Sequence, residues 1–148
     1  MKIYLGADHG GYELKNVLRE HLTHNGYEVE DVGAHTLDPL DNYPEYAYAL
    51  VAKLLGGDDS DLGILMCKSG QGMAIAANRV GGIRAAIAWN PETAIHARRD
   101  DNVNVLVLAP MYTDQDLCLE TVDAWLATEF SKNPKYQARL DQIEELYG

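Results

Sequence analysis

Five short apolar runs, each separated from the next by an amphipathic stretch, constrain this chain more than any other feature. The runs cover residues 2–6, 27–32, 62–66, 84–89 and 103–108. Between the first two, Leu14, Val17, Leu18 and Leu22 recur at helical spacing and Gly26 supplies a stop, which predicts a helix over 12–25. The same reading places helices at 44–55, 73–79, 91–100, 114–130 and 135–147. Strands that alternate with helices pair in parallel through right-handed crossovers, so the expected fold is α/β: a three-layer sandwich around a five-stranded parallel sheet, Rossmann-like. Such sheets bind ligands beyond the C-terminal ends of their strands. The segments at 7–11, 33–43, 67–72, 90–92 and 109–113 therefore carry the search for chemistry.

The chain has 148 residues, enough to bury roughly 70% of its unfolded surface as one domain. No linker, repeat or charge block divides it. Twenty-three acidic against twelve basic side chains give a net charge of −11, which disfavours nucleic acid and anionic membrane surfaces as partners. Two cysteines make no disulfide scaffold and fit a reducing compartment. With no signal-peptide pattern at the start and no apolar stretch of membrane-spanning length, the expected location is cytoplasmic.

The segment Cys67-Lys68-Ser69-Gly70-Gln71-Gly72-Met73 leaves a buried strand and opens a helix, so its backbone N–H groups converge where an anion or oxyanion would be stabilised. It fits none of three familiar phosphate loops. Cys67 stands where a nucleotide-binding P-loop needs glycine, Ile75 follows Gly70 and Gly72 where a dinucleotide loop needs a third small residue, and Met73 stands where a cysteine-phosphatase loop needs arginine. Cys67 lies at a strand end beside a helix start and a lysine, surroundings that favour a thiolate able to act as base or nucleophile; the plainer reading is a small core residue. Cys118, flanked by Leu117 and Leu119, reads as core filler. Asp8 and His9 end the first strand before Gly10 and Gly11, a polar pair placed for ligand contact, unless Asp8 only caps the next helix. No histidine spacing suits zinc, and His21 and His24 read as structural or solvated. Arg98 with Arg99, and Lys132, Lys135 and Arg139, are candidate phosphate ligands, although the plainer reading of the latter group is a solvated helix face beside Asp141, Glu144 and Glu145.

GADHGGYELK at the start, the Tyr43-Pro44 pair, CKSGQGMAIAANR and GIRAA together resemble the RpiB/LacA/LacB family of sugar-phosphate isomerases, best known as type B ribose-5-phosphate isomerases. The resemblance runs in order along essentially the whole chain. It implies a homodimer or dimer of dimers whose active sites are shared between subunits, with the last helix packing on the partner and with no metal or organic cofactor. By resemblance, Cys67 is the base that moves a proton between C1 and C2 of an open-chain sugar phosphate. Ser69 with the amides of Gly70, Gln71, Gly72 and Met73 forms the anion hole. Asp8 and His9 match the family's substrate-binding pair, Tyr43 matches a site tyrosine, and Arg139 matches a phosphate-binding arginine. The chain departs from the family pattern where a His-Asn pair is replaced by Asp100 and Asp101. Lys68 stands for a common glycine, Met111 for an arginine, and Lys135 for another phosphate-binding arginine.

The function expected from this is aldose–ketose isomerisation through a cis-enediolate, with ribose 5-phosphate as the default substrate and Asp100, or His96 one turn earlier, as the group left to handle ring opening. A tetrose phosphate, a hexose 6-phosphate or a non-phosphorylated sugar would fit the departures as alternatives. The rivals from other classes are a non-catalytic sugar-phosphate sensor on the same fold and a nucleotide- or flavin-binding module.

Overall fold

The computed structural model describes Met1–Gly148. Five strands, β1 (Lys2–Ala7), β2 (Glu28–Asp31), β3 (Leu62–Met66), β4 (Ala85–Ile87) and β5 (Val105–Leu108), form one parallel sheet in the order β2-β1-β3-β5-β4. Six helices follow them: α1 (Tyr12–His24), α2 (Tyr43–Leu55), α3 (Gln71–Ala77), α4 (Pro91–Asp101), α5 (Gln115–Leu126) and α6 (Pro134–Tyr147). The fold expected from the apolar runs is the one observed.

Composition explains the strand order. Val105, Leu106, Val107 and Leu108 are all buried, which suits a strand covered on both faces, so β5 sits inside the sheet. The acidic EVED of β2 and the short AAI of β4 take the two edges. Side-chain alternation then divides the core. Ile3, Leu5, Ile64, Met66, Leu106 and Leu108 face α1, α4 and α5, whereas Tyr4, Leu65, Val105 and Val107 face α2 and α3.

One helix is shorter than its periodicity suggests. The pattern through Phe130 predicts a helix to that residue, but α5 ends at Leu126. The Thr128 hydroxyl donates to the Ala124 carbonyl at 2.7 Å, and the Ser131 amide donates to the Arg99 carbonyl at 3.0 Å, drawing the chain away toward α4. α6 then lays Leu140 and Ile143 along its own β4 edge and α4, around a cavity of about 320 Å³ that Ala97, Asp101 and Val103 also line. The opposite face of α6, with Lys135 and Arg139, is exposed.

Lys15, within the buried face of α1, is fully buried. Its ammonium donates to both oxygens of Asp31 at 2.6 and 2.7 Å and to the Ala34 carbonyl at 2.6 Å. Asp31 also accepts from the Gly33 amide at 2.9 Å and from Arg19 at 3.2 Å. The pair pins the end of β2, from which the chain continues beside β1 through Ala34 and into the loop leading to α2. Removing one partner of a buried pair leaves an uncompensated charge, so Lys15→Met should lower stability by about 3 kcal/mol. Urea unfolding checks this, and adding Asp31→Leu should restore part of the loss.

Candidate active site

Crossovers leave the sheet in opposite directions from β1, toward β2, and from β3, toward β4. The C-terminal ends of these neighbouring strands therefore open a crevice that no crossover covers. Ala7 pairs with Met66, so the Asp8–Gly11 and Cys67–Gly70 loops emerge side by side. A Cβ on Gly10 would meet the Lys68 side chain, which fixes how closely the two loops touch. The Met111 amide, beyond β5, donates to the Lys68 carbonyl at 3.1 Å and closes the third side.

Cys67 is 5% exposed and points to the α2/α3 face. Its sulfur accepts the Gly70 N–H at 3.2 Å, a donor that suits a thiolate. Gly70 sits in the left-handed region, φ 77°, with Val107, Ala109 and Ile87 within 3.5 Å of any Cβ there. This bend starts α3 at Gln71, two residues before the periodicity suggests. The Gln71 amide donates to the Ser69 hydroxyl at 3.3 Å, while the amides of Gly72 and Met73 find no acceptor in the chain. Tyr43, the first residue of α2, lays its ring over Gly72, where even a Cβ would collide with it.

Asp8 is buried and accepts the Gly10 amide at 2.9 Å, closing the loop turn; it does not cap α1, whose N-cap is Gly11. His9 is anchored by Asp41 from the loop before α2. One carboxylate oxygen accepts both the His9 amide at 3.0 Å and ring Nδ1–H at 2.7 Å. Burial would raise the Asp41 pKa, but the hydrogen bonds from His9 outweigh it and hold the carboxyl below its usual range. Asp8, His9 and Asp41 bring ligand atoms within 4.8 Å of one another. His9 Nδ1 and Asp41 Oδ1 are nevertheless at hydrogen-bond distance, and a cation between them would have to push them apart. Asp41 was missed by sequence reasoning because its segment, Asp38-Pro39-Leu40-Asp41-Asn42, carries only turn signals.

Asp8, His9, Tyr43, Lys68 and the Cys67–Met73 loop thus come together. Asp100, Asp101, Lys135 and Arg139 do not join them within one chain. α4 starts at the C-terminal end of the sheet and descends, so Asp100 and Asp101 lie by the starts of β4 and β5, where the Asn102 carbonyl accepts from Arg84 Nε at 2.8 Å. The Arg99 guanidinium, 2.8 Å away, holds the Asp100 carboxyl below the usual carboxylate range, and His96 lies 3.4 Å from it. Lys135 and Arg139 stand nearby on α6, Arg139 over the Tyr136 ring. Of the other candidate cations, Arg98 is spent on the Asn102 side chain at 2.7 Å and the Val103 carbonyl at 3.1 Å. His21 pairs with Asp123 at 2.8 Å. Cys118 is buried against Thr113, in keeping with a core role.

A family model described as Ribose/Galactose Isomerase matches residues 3–143. The chain belongs to this family. Among its relatives is a protein of Mycobacterium tuberculosis named ribose-5-phosphate isomerase B, 40% identical over 98% of this chain and 89% of the relative. A ribose-5-phosphate isomerase B from Mycoplasma genitalium, solved with bound ribulose-5-phosphate, superposes with a TM-score of 0.94 at 36% identity, covering 98% of this chain and 95% of the other. The Thermotoga maritima ribose 5-phosphate isomerase gives a TM-score of 0.91 at 40% identity over 97% of each chain. No helix is long and apolar enough to cross a membrane.

A side chain at Gly70 must adopt the left-handed conformation and enter occupied space. Gly70→Ala should therefore cost about 1–2 kcal/mol, read by urea unfolding. It should also loosen the N–H from the Cys67 sulfur, read as a changed rate of thiol alkylation.

Proposed function

We propose that this chain is an aldose–ketose isomerase that interconverts ribose 5-phosphate and ribulose 5-phosphate without a cofactor. The observation that carries the reading is the Cys67 sulfur, given one N–H by Gly70 at 3.2 Å beside the unpaired amides of Gly72 and Met73. Base and oxyanion donors are what proton transfer next to a carbonyl requires. The names of the relatives point to the sugar. Cys67 takes the proton from C2 of the open-chain aldose and returns it to C1, the C2 hydroxyl proton passes to O1, and the Ser69 hydroxyl and the loop amides hold the enediolate oxygen meanwhile. Asp8, His9 and Tyr43 grip the sugar hydroxyls, and Lys68 lends positive charge at the mouth.

The phosphate-binding groups come from a second copy of the chain. Lys135 and Arg139 stand on an exposed face remote from their own Cys67, so a two-fold dimer that brings one copy's α4 and α6 to the other copy's crevice completes two sites at once. Exposed apolar side chains near the crevice, Trp89 and Tyr112 packed edge to face at 5.7 Å together with Met111 and Ile75, supply a surface for that contact. Asp100 and Asp101 then form part of the polar rim. The sensor reading gives no reason for a thiol at the reacting carbon, and the nucleotide and flavin readings lack their loops.

Heavy-water NMR tests the mechanism. Ribose 5-phosphate should exchange its C2 proton and yield ketose. Cys67→Ala should lower both rates by at least about 100-fold while the fold stays intact, and full exchange without the thiol would defeat the reading. Because Arg99 keeps Asp100 ionised near neutrality, Asp100→Asn should leave in place any inflection of the parent pH–rate profile between about pH 5 and 8.

A further inference from the structure

The end of the sheet opposite Cys67 carries a second concave site. The loop 57–61 after α2 and the segments that lead into β4 and β5 enclose a cleft of about 300 Å³, the lower end of the range for small-ligand pockets. Leu54 and Leu62 line it with apolar surface, Arg84 and Arg98 with positive charge, and Asp58 and Asp59 with negative charge. Its frame is tied on both sides. The Asn104 side chain accepts from the Arg84 amide at 2.8 Å and donates to the Gly82 carbonyl at 2.9 Å. Across the cleft, the two oxygens of buried Asp61 accept from the Lys2 amide at 2.7 Å and from the Asp58 amide at 3.0 Å.

The two arginines are held in place but not neutralised. Arg84 Nε donates to the Asn102 carbonyl at 2.8 Å, and its one ion pair, with Glu144, is long at 3.9 Å. Arg98 Nη1 donates to the Asn102 side chain and to the Val103 carbonyl, both neutral acceptors, which leaves its Nε and Nη2 free. Both guanidiniums are partly buried. Burial presses both pKa values down, and the charge of Arg84 lowers that of Arg98 further, as expected of close positive charges short of counter-ions. On the other wall Asp58 and Asp59 are exposed and paired with no cation. A metal ion there would face two arginines, and a phosphate dianion would face two aspartates on a chain of net charge −11. A ligand that carries both charges satisfies both walls. We propose that this cleft binds a small zwitterion, an aliphatic amino acid whose carboxylate lies on Arg84 and Arg98, whose ammonium faces Asp58 and Asp59, and whose methylenes cover Leu54 and Leu62. Two guanidinium forks match one carboxylate better than ammonium groups would, and the leucines accept the spacer between its charges.

Calorimetry on the full chain in low-salt buffer, with 4-aminobutyrate and 6-aminohexanoate as probes, reads binding without turnover and so stands apart from the isomerase reading. At least one probe should saturate below about 10 mM and bind at least about tenfold more tightly than butyrate, hexanoate or hexylamine, which each carry one charge. Arg98→Met should weaken the amino acid by at least about tenfold. Arg98 also ties α4 to Val103, so that variant could lose its fold. Asp58→Asn combined with Asp59→Asn carries the test independently, because both side chains are exposed. It should erase the preference for 6-aminohexanoate over hexanoate. No saturable binding of either amino acid, equal binding of hexanoate by the parent, a preference that survives the double aspartate variant, or tighter binding of inorganic phosphate than of the amino acids would each overturn the assignment.

Discussion

The parallel pairing of β1 with β3 is the constraint from which the rest follows. It sets Ala7 opposite Met66, and the two chains leave that pair in loops only a strand spacing apart. Their crossovers then diverge, which keeps the space between the loops open and lets the Cys67 sulfur, the α3 amides and the Asp8–His9 pair face one volume. Everything with chemical character on this side of the molecule depends on that one register.

Around this pair the polar interactions are spent on loop position. Lys15 and Asp31 are buried where burial of charge is costly, and what they secure is the path of the chain from β2 to α2. That path ends in Asp41 and Tyr43, one bound to His9 and the other packed on Gly72. The geometry around the sulfur therefore reaches back through the loop to an ion pair at the edge strand β2. Stability and site geometry are coupled here by covalent continuity, with no need for a longer network.

Much of the fold was legible because β and helical periods alternate without interruption, and the apolar content of each run even separates the interior β5 from the edge strands β2 and β4. The thiol, the glycine loop and the Asp8–His9 pair were legible for the same reason: ligands of parallel sheets meet strand ends, and those residues stand at strand ends. Three features were not. Lys15 lies in a helix whose neighbours Leu14 and Leu18 already define the buried face, and a lysine there reads as surface. Asp41 acts across 32 positions of sequence, a contact that no local pattern encodes. The separation of Asp100 and Arg139 from Cys67 is a matter of which end of the sheet a helix reaches, and that follows only once the strands are placed.

The central claim is that a thiol from one copy works on a substrate whose phosphate is held by another. Mixing two inactive variants tests it most directly. Cys67→Ala and Arg139→Ala, unfolded and refolded together, form hybrids in which one site carries both lesions and the other carries neither, so activity should return to about one quarter of the parent value. If the mixture stays inactive while hybrids are demonstrably present, the thiol and the arginine do not serve a common site, and the shared-site account is wrong.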